Sequence, residues 1–267
     1  MFMLLPAFAL MSCEKIVSID LNTTQPQIVI EGEIVDDGDG SVLITRTESY
    51  FQPTLSFSRV SDAWVVLRDD QGSVDTLDYG PGYYPLLSQA TPLTIAPGRT
   101  YTLTVGYDGR TYTGSTTMPG KVMIDSVYSL AVRQVVQRTA YDLYVVFDDP
   151  PDRENYYRLD VSYRSENIVD SINTRRYRVY NDRLSNGTRI SYRVGLGRRL
   201  KAGDTASVML YSIDKATYEY YRTANDAIAT SRSPTALSPA NPTSNLSNGA
   251  LGYFAAYAID RKEFIIQ

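Results

Sequence analysis

Apolar and polar residues alternate through most of this chain with a period of two. Ile28–Val35 (IVIEGEIV) puts Ile28, Ile30 and Ile34 on one side of an extended segment and Glu31 and Glu33 on the other. That period marks a strand with one face buried. Asp36-Asp37-Gly38-Asp39-Gly40 then supplies turn residues and VLITRT returns, so a hairpin is predicted over 28–47. A second hairpin is read from AWVVL (63–67), the turn Asp69-Asp70-Gln71-Gly72 and SVDTLDY. A third runs from GRTYTLTV through the Asp108-Gly109 turn into RTYTGSTT, whereas 49–58 and 79–85 are irregular in composition. Beyond them 122–131, 141–147, 156–163 and 205–213 also read as strands. The period changes once. Tyr218, Tyr221, Ala224 and Ile228 recur at helical spacing after Ser212 or Asp214 as N-cap, which predicts one helix near 214–229. Thr230–Asn248 reads as a Ser/Pro/Asn-rich loop, and the apolar ending from Gly249 as a terminal strand closing the sheet.

Short strands separated by turn signals predict a mainly β fold. Its expected parts are a β-sandwich over 28–119 and a second β-rich domain over 120–267 that carries the one helix, with Met118-Pro119-Gly120 as the boundary. The phrase PGRTYTLTV resembles the late strands of immunoglobulin-like and fibronectin-like modules, so the first part is expected to be a sandwich of that kind.

The hydrophobic pattern differs before the first hairpin. Met1–Met11 is an uninterrupted apolar run that ends in Leu10-Met11-Ser12-Cys13, and Cys13 is the only cysteine. An apolar run closed by a small residue and a cysteine is the pattern of a bacterial lipoprotein signal. The run is shorter than the roughly 20 residues a membrane-spanning helix needs. No Lys or Arg precedes it, which departs from the usual signal. Residues 1–12 are therefore read as a signal peptide and 13–27 as a tether, with Cys13 as the site of lipid attachment. Acyl chains contribute about 0.8 kcal/mol per buried CH₂, so two or more chains on Cys13 make a stable anchor.

Composition narrows the chemistry. The chain has 43% hydrophobic and 21% charged residues, which suits a folded core. Net charge is −4, so no nucleic-acid surface is expected. Twenty-two Tyr against one Trp fits a sheet-rich protein. There is no histidine, which removes every triad, zinc site and general base built on imidazole. No cofactor is expected and no catalytic residue is assigned. The carboxylates of the 36–40 turn lack the later Glu of a Ca²⁺ loop, so no metal site is assigned and the turn is read as solvated. Asp148, Asp149, Asp152 and Glu154 in a proline-rich loop are the carboxylates that a glycan hydrolase would need. Arg175, Arg176, Arg178, Arg183 and Arg189 are read as a solvated hairpin face.

Several phrases carry a resemblance along nearly the whole chain. They are CEKIVSID from Cys13, IVIEGEI from Ile28, GRTYTLTV from Gly98, TTMPGKVMIDSVY from Thr116, NYYRLDV from Asn155, KAGDTASVMLYSID from Lys201 and NPTSNLSNGALGYFAAY from Asn241. With them the chain resembles a Bacteroidetes family of outer-membrane lipoproteins, domain of unknown function 4249, whose members are typically encoded beside TonB-dependent receptors. The resemblance implies a lipid-anchored, mostly β protein at the outer membrane, working beside a transporter, and it brings no catalytic residues. Glu14 after Cys13 is similar to the acidic signals that send such lipoproteins to the cell surface, so the outer face is favoured over the periplasmic one.

The expected function is non-enzymatic: an accessory or ligand-capture partner of a TonB-dependent receptor, with a glycan or peptide as ligand. A carboxylate-dependent glycan hydrolase and a structural or adhesion lipoprotein are the alternatives. Aromatics in irregular segments can stack on sugars or anchor a partner, which singles out Tyr50, Phe51, Phe57, Tyr83 and Tyr84 as contact residues.

Overall fold

The computed structural model describes residues 25–37, 39–48, 58–80, 82–86, 90–132, 140–165, 168–171, 176–194, 200–231 and 240–267. The expected signal peptide and Cys13 lie outside them, and so does the tether up to residue 24. In chain order the strands are β1 (Ile28–Val35), β2 (Gly40–Arg46), β3 (Trp64–Asp69), β4 (Val74–Leu77), β5 (Tyr84–Leu86), β6 (Thr100–Tyr107) and β7 (Arg110–Thr117). They continue as β8 (Ile124–Val132), β9 (Ala140–Asp148), β10 (Tyr156–Ser165), β11 (Ile168–Ser171), β12 (Arg178–Asn181), β13 (Arg189–Val194) and β14 (Thr205–Ile213). The helix α1 (Lys215–Thr230) and the long strand β15 (Leu251–Ile265) complete the order.

The protein is mainly β, built on one eight-stranded sheet with the order β11-β10-β14-β15-β1-β2-β5, in which β12 also pairs with β10. Two smaller sheets, β4-β3-β6-β7 and β13-β9-β8, complete the set among the described residues. Side chains of β1, β2 and the start of β15 meet those of β3, β6 and β7 in one core, around Ile30, Ile44, Leu103, Val105 and Phe254. Side chains of β10 and β14 meet those of β8 and β9 in a second core, around Leu143, Phe147, Leu159, Val208 and Leu210. A third cluster, which includes Tyr211, Tyr221, Tyr253, Tyr257 and Ile259, lies between the opposite face of the large sheet and α1. Alternation makes this possible. Phe254, Ala256 and Ala258 of β15 turn to the first core, while Tyr253, Ala255 and Tyr257 turn to the helix.

The expected hairpins form with the anticipated turns. The helix starts at Lys215 with Asp214 as N-cap, whose carboxylate accepts from the Thr217 amide at 2.8 Å. Tyr221 and Ala224 are buried as the helical spacing implied, and Thr217 joins them. Two expectations need correction. The 28–119 and 120–267 parts are not separable, because residues 251–257 of β15 pair in parallel with β1 while 258–265 pair antiparallel with β14. One uninterrupted strand thus belongs to both cores. The acidic turn after β1 is also not simply solvated. Asp36 is 8% exposed, pairs with Lys121 at 2.6 Å and accepts from the Ile259 amide at 3.1 Å. It pins the crossing from β7 to β8 onto β15.

Gly252 sits where β15 begins to pair with β1. Its φ is +93°, and an added Cβ would lie 2.0 Å from the Ile30 carbonyl oxygen. Both facts demand glycine. Gly252→Ala is expected to destabilise the fold by about 3 kcal/mol, since the strained backbone and the clash act together. Urea unfolding of the variant beside the parent measures this.

Candidate functional site

The aromatic residues expected to make contacts divide. Tyr50, Phe51 and Phe57 lie outside the described residues. Tyr83 is 37% exposed, whereas Tyr84 is 1% exposed. The Tyr84 hydroxyl accepts from the Ala63 amide at 3.0 Å and donates to the Val60 carbonyl at 3.4 Å. Its ring meets Tyr79 edge-on at 5.2 Å. Tyr84 therefore closes the first core, and a contact role is withdrawn for it because short strand β5 turns the side chain inward.

The acidic loop before β10 is exposed over 151–154, but Asp149 is drawn into the fold. Asp149 is buried, accepting from the Tyr157 hydroxyl at 2.5 Å and the Gly187 amide at 2.9 Å. Burial first, and then the Asp149 carboxylate, push the Tyr157 hydroxyl pKa well up. Buried Asp182 accepts from the Asn155 amide at 2.9 Å, and Glu154 accepts from the Tyr156 hydroxyl at 2.6 Å. Asp148 pairs with Arg189 at 3.0 Å. Among the described residues no three acidic side chains gather as a metal site.

Among the clefts that the described residues line, two lie beside the elements above. The first, about 630 Å³, lies at the end of the first sandwich where the chain enters β1. Gln25, Gln27, Arg46, Tyr107 and Arg110 line it. The Arg46 guanidinium lies 5.0 Å from the Tyr107 ring centre, a cation–π contact. Asp108 is the carboxylate on this rim. The second cleft, about 580 Å³, runs along the 117–120 crossing toward the start of α1 and is lined by Arg153, Tyr156 and Asp214. Thr116 donates to Asp214 at 2.8 Å, so the wall near the helix start is braced from β7.

The most unusual electrostatic feature lies under α1. Arg158 of β10 is 8% exposed, and its guanidinium sits 4.0 Å from the Tyr211 ring centre. It donates to the Tyr221 hydroxyl and, at 3.5 Å, to that of Tyr257, and it pairs with Asp160 at 2.9 Å. Tyr221 meets Tyr257 at 2.7 Å and donates to Tyr253 at 3.2 Å. Tyr253 and Tyr257 both donate to Glu33 of β1, the latter at 3.2 Å. A polar chain therefore crosses the sheet from β10 to β1 beneath the helix. Burial pushes the Tyr221 pKa up to about 12, and it pushes Tyr257 well up, so both hydroxyls are neutral donors at physiological pH. Burial works against the Arg158 charge, but Tyr257, Tyr221 and Asp160 outweigh it and the pKa is raised. The Arg158 Nε has no partner. The arrangement orients the helix and offers no reactive nucleophile. Sequence reasoning missed it, because its members lie up to 224 residues apart and only the odd charge within YYRLDV hinted at it.

Residues 14–263 match the model of a family described as Domain of unknown function (DUF4249). The chain belongs to that family. The first core and α1 lie within the span that matches DUF4249, which ends two residues short of the end of β15 and leaves Ile266 of the second core outside it. No curated protein matches the chain. The DUF4249 description assigns no chemistry, so the clefts and surfaces must be read from their own residues.

Arg158→Ala would leave buried hydroxyls and Asp160 without their partner, and is expected to cost about 3–5 kcal/mol. Arg158→Met keeps volume and is expected to cost less. Urea unfolding followed by far-UV circular dichroism measures the difference. Glu31 supplies a pH test. Burial, then neighbouring Glu33, raise its pKa above the usual carboxylate value. The folded state thus holds that proton more tightly, and the stability from this group falls as pH rises through the folded pKa. Glu31→Gln is expected to raise the melting temperature at pH 7, with the gain fading at pH values below the ordinary carboxylate range. Melting curves across pH check the sign.

Proposed function

We propose that the protein is a non-enzymatic, lipid-anchored lipoprotein of the outer membrane that captures a ligand or partner for a TonB-dependent transporter. The observation that carries this reading is the apolar run Met1–Met11 closed by Ser12-Cys13, with Cys13 the only thiol in the chain. Acylated Cys13 holds the fold against the membrane. Twelve residue steps separate Cys13 from Gln25, where the described chain begins, so the body stays within roughly 40 Å of the anchor. Among the described residues no helix is long and apolar enough to cross a membrane.

The non-enzymatic part is supported by the residues present. Imidazole chemistry is absent from a chain without histidine. Three of the four loop carboxylates that a two-carboxylate hydrolase would use are engaged: Asp149 by Tyr157 and Gly187, Asp148 by Arg189, and Glu154 by Tyr156. The open clefts and outward sheet faces remain for binding. Facing the cell exterior follows from the acidic Glu14 beside Cys13 and would place those surfaces where a receptor meets its ligand.

Cells fed labelled palmitate test the reading. The protein is expected to carry label, fractionate with the outer membrane and co-purify with a TonB-dependent receptor. Cys13→Ala is expected to lose label and move to the soluble fraction. An unlabelled parent, or a variant that fractionates unchanged, overturns the anchor. Labelling without receptor association leaves a lipoprotein and removes the transport role.

A further inference from the structure

The only tryptophan of the chain, Trp64, is 51% exposed. In β3 the neighbours Val65 and Leu67 point into the core, so Trp64, Val66 and Arg68 point out. Directly opposite Trp64 in β6 stands Gly106. A Cβ added to Gly106 would lie 1.9, 2.0 and 2.3 Å from indole atoms Cε2, Nε1 and Cζ2. The indole is therefore laid over the glycine backbone, with its other face toward solvent. Gly106 is what allows the ring to lie down.

The surrounding positions are hydroxyls. Thr102 and Thr104 of β6 alternate outward beside Leu103 and Val105, and opposite them in β7 stand Ser115 and Thr113, with Thr111 opposite Gly106. Thr76 of β4 faces outward opposite Val66. By this alternation Arg68 is the one charged residue that β3, β4, β6 and β7 turn outward. An exposed ring bordered by neutral hydroxyls complements a pyranose. The C–H face of the sugar stacks on the indole, and its equatorial hydroxyls exchange hydrogen bonds with threonines at the ring's edge. A stable protein interface asks for about 800 Å² per partner around a desolvated apolar centre. Here only Val66, half-buried, and Val74 on the edge strand extend the apolar surface beyond Trp64. The face suits a polyol better than a protein.

We propose that Trp64, seated on Gly106 and bordered by Thr104 and Thr111, is a stacking platform for a neutral glycan. This names the ligand class for the capture role proposed above and rests on that reading. Aromatic rescue of Gly106 also explains a ring lying on a strand glycine, and it predicts stability without binding. The two differ in what a sugar does to the indole.

A single tryptophan makes intrinsic fluorescence a reporter of this platform alone. The full-length protein in detergent is titrated with a panel of neutral glycans, namely α-glucan, β-glucan, mannan and xylan oligosaccharides. At least one is expected to give a saturable change in tryptophan emission. By calorimetry, Trp64→Ala is expected to weaken that binding about tenfold or more, the loss of one good aromatic contact. Gly106→Ala keeps the indole but lifts it off the sheet, so it is expected to weaken binding while emission remains readable. Thr104→Val and Thr111→Val leave the ring in place and are expected to weaken binding with little change in unfolding midpoint, which keeps the test valid if the other variants misfold. No saturable change with any of the panel, or binding that the threonine variants and Trp64→Ala leave unchanged, overturns the platform. Glycan binding without receptor association sinks the transporter reading alone; receptor association without glycan binding sinks the platform alone.

Discussion

A single strand shared by two cores is the constraint on which the architecture rests. β15 pairs with β1 over its first half and with β14 over its second, and it has no break between them. Because side chains alternate, a shift of one residue would turn Phe254 toward the helix and Tyr253 and Tyr257 into the sandwich. Alanines at 255, 256 and 258 let both layers approach the strand closely. The pairing also joins positions more than two hundred residues apart, such as Val29 with Leu251. Loop closure of that length is costly before any contact repays it, so the first core is completed only when the end of the chain arrives.

The face of this sheet turned to the helix is polar where aliphatic packing would be the default. Glu33, Arg158 and three tyrosine hydroxyls form a continuous donor–acceptor chain beneath α1. Removing a charge from water costs several kcal/mol, and here aromatic faces and phenolic hydroxyls take the place of the lost solvent. An apolar helix would slide on an apolar sheet with little penalty. A helix whose Tyr221 must reach both Arg158 and Tyr257 has one seat. The Asn225 side-chain amide accepts from the Tyr177 backbone amide at 2.8 Å and donates to its carbonyl at 2.9 Å, which fixes the same seat.

Local pattern made the strands and the helix readable, and distance in sequence made the rest unreadable. IVIEGEIV and TASVMLYSI became strands with the residues their alternation implied, because one-sided burial is written in adjacent positions. Asp214 capped the helix as its chemistry suggested. The proposed boundary at Met118-Pro119-Gly120 failed as a division because nothing in 28–119 announces that its sheet is continued by 251–257. Tyr84 looked like a loop aromatic because Gly and Pro surround it, yet β5 carries it inward. Asp36 looked like a turn carboxylate because Lys121 and the Ile259 amide lie far along the chain. The Trp64 and Gly106 pair did leave a signal. A lone Trp on one strand and a Gly on an alternating Thr strand is the pattern of a ring that needs room to lie flat.

The tryptophan platform and the first cleft share one end of the first sandwich, and this bears on how the proposed capture would work. Tyr107 and Arg110 of the cleft close the hairpin that carries Gly106 and Thr111, so the tryptophan platform and the arginine cleft are neighbours across one turn. The same end receives the chain through Gln25–Gln27, which hydrogen-bonds to Thr47 beside Arg46. A ligand held there would stay within reach of the anchor proposed at Cys13 rather than at the far end of the body. Were the protein anchored beside a channel as proposed, that placement would turn a bulk encounter into a local one, because effective concentration rises as the tethered distance shortens. A platform of this kind need not bind tightly. Weak stacking suffices where anchoring supplies the concentration, and it leaves the ligand free to pass on.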